Sequence, residues 1–184
     1  MKIRALIITP FLLLMVTTLF ALAIENQEKA SEGSLSHKHE HEEDVDHKNP
    51  KNQRRMGIFH YNEGNRLIKK GHLQEAESSY RMALHHDKRL YEVYVNLSTL
   101  YMRDKKFSKA LKTLNELKFL QPQYPTLHYN LACYFSLLKK TQSSLKSLKK
   151  AFELGFNDKH QVESDPDLEN LRELSEFAKW LKTL

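Results

Sequence analysis

YEVYVNLSTLYMRDKKFSKALKTLNELKFLQPQY, residues 91–124, decides the fold. Apolar residues recur at helical spacing in two runs, 91–103 and 107–120, joined by the basic turn Lys105-Lys106. Pro122 and Pro125 follow, where a helix cannot continue because the ring lacks an N–H and clashes with the preceding turn. A shift of 34 residues in either direction meets the same register. Asn96-Leu97-Ser98 corresponds to Asn62-Glu63-Gly64 before it and to Asn130-Leu131-Ala132 after it. Three positions beyond each small residue stands a large one: Leu67, Tyr101 and Phe135. A fixed period in this range marks stacked supersecondary units, none of which can bury its apolar face alone. The predicted helices pair as 58–70 with 73–85, 91–103 with 107–120, and 126–139 with 142–154. Turns this short force antiparallel neighbours, so each pair is a helical hairpin.

Packing explains the residue choices. Gly64, Ser98 and Ala132 are small because the two helices of a hairpin touch there, and Ala76 and Ala110 match them on the second helices. Together with Tyr80, Ala83, Tyr94, Leu97, Pro122, Leu131 and Ala151, this pattern resembles the tetratricopeptide repeat (TPR) family across residues 57–158. His60 and His128 stand where the family has tryptophan, Glu63 where it has leucine, and Ser144 where it has alanine. The resemblance implies an all-α fold: a right-handed TPR α-solenoid of three helical hairpins (57–90, 91–124 and 125–158). It also implies protein–protein interaction rather than catalysis. Beyond Gly155, the stretch Ser164-Asp165-Pro166-Asp167-Leu168 reads as a helix start. Leu168, Leu171, Leu174, Phe177, Trp180 and Leu181 then recur at helical spacing. An array needs a last element that covers its open face, and residues 159–184 are expected to be that helical cap. Such an ending resembles the one after the last repeat of many bacterial exported TPR proteins.

The chain before the repeats divides in two. Lys2 and Arg4, an apolar run from Ala5 to about Phe20, and the small residues around Ala21-Leu22-Ala23 read as a secretory signal peptide, residues 1–23. An uncleaved membrane anchor is the other reading. Residues 24–55 carry eight acidic and six basic residues and almost no large apolar ones, which predicts a disordered His/Glu/Lys-rich linker. The repeats and cap, residues 56–184, carry 21 basic and 15 acidic residues and are mildly basic. That balance suits acidic protein surfaces. Export argues against nucleic acid, and points to a bacterial periplasm or to secretion. Membrane contact is expected only through an uncleaved signal or a basic edge of the array, where Lys105-Lys106 and Lys139-Lys140 lie 34 apart. The single cysteine, Cys133, cannot form an internal disulfide. A monomer is the expected state, with end-to-end polymerisation as an alternative.

Three constellations could carry function. In the family, first helices line a concave groove, and a ladder of asparagines there can pair with the backbone of an extended peptide, because an amide both donates and accepts. Asn62, Asn96 and Asn130 occupy that slot, with Tyr61, Asn65, Thr99, Met102, Tyr129 and Cys133 as expected groove neighbours. The competing reading is that these asparagines bridge neighbouring helices. A second family arrangement, a clamp for a terminal carboxylate, matches only at Asn65 and Asn96. Its basic slots hold Tyr61, Thr126 and Asn130. Finally, His37, His39, His41 and His47 are possible ligands for zinc, copper or nickel, so a metal-buffering or metal-responsive exported protein is the alternative function. No phosphate-cradling loop, triad or paired carboxylates with convincing spacing are present. The expectation is a non-enzymatic adaptor without a cofactor, holding a segment of another exported protein.

Overall fold

The computed structural model describes residues 49–184, which form helices and turns with no strand among the described residues. Six long helices make three hairpins: α1 (Pro50–Lys70) with α2 (Leu73–His86), α3 (Tyr91–Arg103) with α4 (Phe107–Leu120), and α5 (Pro125–Leu137) with α6 (Thr141–Glu153). A segment of short pieces follows: α7 (Lys159–Ser164), a 3-10 turn (Pro166–Leu168), α8 (Glu169–Arg172) and α9 (Ser175–Leu181). None of the described helices is long and apolar enough to cross a membrane.

The first helix differs from expectation at its start. It begins at Pro50, so residues 50–55 belong to α1 and not to the linker. Local chemistry accounts for this. The Asn49 side chain accepts a hydrogen bond from the Lys51 N–H at 3.0 Å, and Pro50 sits in the first turn, where no N–H is needed. The extra turns lie along the end of α2. Arg54 pairs with Asp87 at 3.1 Å, and Gln53 meets His86 at 2.7 Å.

Small residues set the helix spacing. An added Cβ on Gly64 would lie 2.5 Å from the Tyr80 ring, and one on Gly57 would lie 2.9 Å from Leu90 Cδ1. Ser98 and Ala132 at the same slot are fully buried, as are Ala76, Ala110 and Ala151 on the second helices. The core runs continuously through Tyr80, Val93, Leu97, Leu114, Leu127, Leu145 and Leu148 into the C-terminal segment.

Each hairpin turn holds one residue in left-handed backbone: Gly71 at φ 80°, Lys105 at φ 55° and Lys139 at φ 57°. Thus α5 stops at Leu137, two residues short of the expected end. The C-terminal segment is not one helix. It breaks at Asp165 and again at Leu174, where the backbone is extended. Its apolar residues still reach the core: Leu168, Leu171 and Phe177 are buried, and Trp180 packs edge-on against Phe152 with centroids 5.2 Å apart.

Candidate functional site

The first helices α1 and α3 bound a hollow of about 350 Å³, lined by Asn65, Ile68, Lys69, Tyr80, Asn96, Thr99, Leu100 and Arg103. A polar network builds its floor. The Tyr80 hydroxyl donates to Asn65 Oδ1 at 2.7 Å, and Asn96 Nδ2 donates to the same oxygen at 2.9 Å. Asn96 Nδ2 also reaches the Tyr61 hydroxyl at 3.4 Å. With its oxygen doubly engaged, Asn65 is fixed in orientation. Its own NH2 has no partner among the described residues and is the amide left to donate. Two cations, Lys69 and Arg103, and no carboxylate line the hollow. Burial pushes the Tyr80 hydroxyl above its usual range, so it stays a donor at neutral pH.

The three asparagines of the repeat register meet different fates. Asn62 is exposed. Asn96 is half-buried and spends its NH2 on Asn65 and Tyr61. Asn130 is buried: its Nδ2 donates to the Val95 carbonyl at 3.2 Å, to Thr99 Oγ1 at 3.1 Å and to Ser98 Oγ at 3.3 Å. It ties α5 to α3. A repeat in sequence is therefore not a repeat in surroundings. Asn130 lies under the packing of two helices, and Asn62 lies on the first helix with no described repeat before it.

Three further groove expectations are corrected. Met102 is only 3% exposed, because its position on α3 faces the core. Tyr129 and Cys133 are also buried, because the C-terminal segment folds over α5. Tyr129 stacks on Phe156 with centroids 4.5 Å apart, and its hydroxyl donates to Asp165 Oδ2 at 2.6 Å. The Cys133 thiol points at the same oxygen at 3.8 Å. Asp165 Oδ1 meanwhile accepts from the Asp167 N–H at 2.9 Å and caps the 3-10 turn. Arg172 adds a bond to the Asp165 carbonyl at 3.0 Å.

Burial, then the charges of Asp165 and Asp167, push the Cys133 thiol far up, away from the thiolate form. Burial, then Cys133 and Asp165, likewise push Tyr129 up. Cys133, Asp165 and Asp167 present ligand-type atoms within 4.8 Å of one another. Their hydrogen bonds serve to anchor the cap. The expected metal ligands His37, His39, His41 and His47 lie outside the described residues, as do the expected signal peptide and most of the expected linker.

Tyr61, Asn65, Asn96 and Thr99 are thus brought together between the first two hairpins. Ile68, Lys69, Tyr80 and Arg103 were not foreseen there. For Ile68, Lys69 and Arg103, a step of one or two turns from Asn65 or Asn96 was the available signal, since residues three, four or seven apart share a face.

The arrangement is that of TPR domains. The first TPR domain of Spaghetti (RPAP3) bound to the HSP90 peptide SRMEEVD superposes with a TM-score of 0.55 at 21% identity, covering 68% of this chain and 95% of that one. The first TPR domain of human RPAP3 gives 0.54 at 22% identity, covering 70% and 96%. The TPR2B domain of yeast Sti1, in complex with a peptide of Hsp70, gives 0.51 at 16% identity, covering 70% and 97%. The fold is a TPR α-solenoid. In sequence, the chain is 32% identical over 85 residues to a chloroplastic protein of Arabidopsis thaliana, covering 45% of this chain. The chain spans about a quarter of the length of that curated relative. No family model matches the chain.

Proposed function

We propose that this protein is a non-catalytic adaptor that holds an extended segment of a partner protein in the hollow between α1 and α3. The observation that carries this reading is the Asn65 amide. Its oxygen is locked by Tyr80 and Asn96, and its NH2 is left to pair with a peptide carbonyl. Thr99 on α3 adds a hydroxyl beside it, and Ile68 and Leu100 offer apolar contact. Lys69 and Arg103 favour an acidic side chain or a terminal carboxylate one turn further along. Of the expected ladder, Asn96 lines this hollow, Asn62 is exposed and outside its lining, and Asn130 holds the fold. Structural neighbours captured with chaperone-derived peptides support a peptide as the kind of ligand.

Preformed rigidity lowers the ordering cost of binding, and the hydrogen-bonded floor supplies it. We further expect the partner to be exported, on the strength of the N-terminal signal. N-terminal sequencing of the protein from fractionated cells tests that expectation.

The central test is titration of partner-derived peptides into wild type and variants. Asn65→Ala should weaken binding by about tenfold, the loss of one well-placed hydrogen bond. The pair Lys69→Ala and Arg103→Ala should weaken acidic ligands selectively and flatten the salt dependence of their binding. Equal affinity for wild type and Asn65→Ala rejects the site.

A further inference from the structure

On the other side of α3, the second helices α2 and α4 flank a separate groove of about 430 Å³. Its floor is closed by Tyr94, Leu97 and Tyr101, each no more than 5% exposed. Its walls carry Arg81, His85, Lys88, Lys109 and Lys112. One carboxylate, Glu116, lines it among the described residues. Lys109 already pairs with Glu77 at 3.1 Å. Arg81, Lys88 and Lys112 form no ion pair with any described residue. At its Lys88–Glu116 end the groove runs onto an apolar shelf that includes Leu111, Leu120 and Phe119, which is 89% exposed.

We infer that this groove is a second docking surface, and that its occupant is an acidic segment of a partner protein with an apolar residue downstream of its carboxylates. Charge decides the sign: three unpaired cations face one acid across a recessed channel. Geometry decides the path. Arg81 stands on α2, and Lys88 lies two residues past its last residue, His86, at the end of the groove that meets the apolar shelf. A segment with two separated carboxylates meets both cations. Lys112 on the opposite wall closes on the segment between them. The apolar residue that follows leaves the channel at Lys88 and lies against Phe119. An anionic bilayer presents the same charge but is flat, and its headgroups cannot follow a floor sunk between two helices.

The test uses the full chain and a labelled peptide blocked at both ends, so that no free terminus competes for the hollow between α1 and α3. The peptide carries aspartates three apart and a leucine two residues later. Saturable binding is expected. It should fall at least about tenfold in the Arg81→Glu, Lys112→Glu double variant and several-fold in Phe119→Ala. It should persist in the Lys69→Ala, Arg103→Ala pair. All substituted side chains are exposed, so unchanged circular dichroism and melting confirm intact folding. Equal binding by the double variant overturns the proposal. So does co-sedimentation with phosphatidylserine vesicles that depends on Arg81 and Lys112 while the peptide fails to bind.

Discussion

Lys105 and Lys139 adopt at φ 55° and 57° the left-handed conformation that Gly71 adopts at φ 80° in the equivalent turn. For a residue with a Cβ this costs about 1–2 kcal/mol. Glycine avoids that strain but loses about 0.5–1 kcal/mol more entropy on folding. Lys105→Gly and Lys139→Gly should therefore each stabilise the protein by about 0.5–1 kcal/mol in urea unfolding. Gly71→Ala should cost about 1 kcal/mol through strain alone, since nothing lies within 4 Å of the added Cβ. A Lys105→Gly variant destabilised by about 0.5–1 kcal/mol would show that the turn is not strained. Asp167 gives a pH-dependent case. Burial, and then the charge of Asp165, raise its pKa. A raised carboxyl is best tolerated protonated, so its contribution is present below the unfolded value near 4 and is lost as pH climbs through the folded value. Asp167→Asn should raise Tm at pH 7, with the gain fading toward pH 3. Asp87 shifts the other way. Burial opposes ionisation, but hydrogen bonds and charge from Arg89, with Arg54, hold its pKa down. Its support is present at neutral pH and lost as pH falls below about 4 through its lowered folded value.

Helix contacts follow from volumes that sequence displays directly. Gly64 reads as small, and the Tyr80 ring fills the space a side chain would take. Gly64→Ala should cost about 1–3 kcal/mol by forcing α1 off α2, and Ala76→Leu or Ala110→Leu should do as much. Unchanged melting of Gly64→Ala would contradict this spacing. Less was legible where one element lies over another. The Asn49-Pro50 start of α1 was hidden in polar composition, although its cap chemistry was written there. The break at Leu174 was invisible because Leu168, Leu171 and Phe177 keep helical intervals while the backbone resets between them. Ser136 shows how the pieces lock: its Oγ accepts the Leu171 N–H at 3.3 Å in a buried setting. Ser136→Ala leaves that N–H without a partner and should cost about 1–3 kcal/mol, measured by chemical denaturation.

For the molecule as a whole, the 34-residue register located the fold and a candidate face but could not weigh which equivalents stay open. Asn130 and Asn62 hold the same slot and differ entirely in exposure, because stacking order, and not local sequence, decides what covers each hairpin. Tyr129 and Cys133 disappeared from the groove for a tertiary reason: Asp165 brings the C-terminal segment down on them. A chain ending at residue 158 should turn Cys133 from inert to readily modified by a thiol reagent at about pH 8, with Asp165→Ala intermediate. A Cys133 equally protected in the shortened chain would show that the cap is not its shield.

That lid over the third hairpin also sets a ruler. Neighbouring helices stand about 8–10 Å apart, and a stretched chain advances about 3.3 Å per residue. With only two hairpins uncovered, the cradle accommodates a stretch of about six residues before its path is blocked. Under the proposed function, recognition of so short a word would leave little affinity to spare and would select for targets that present it already extended.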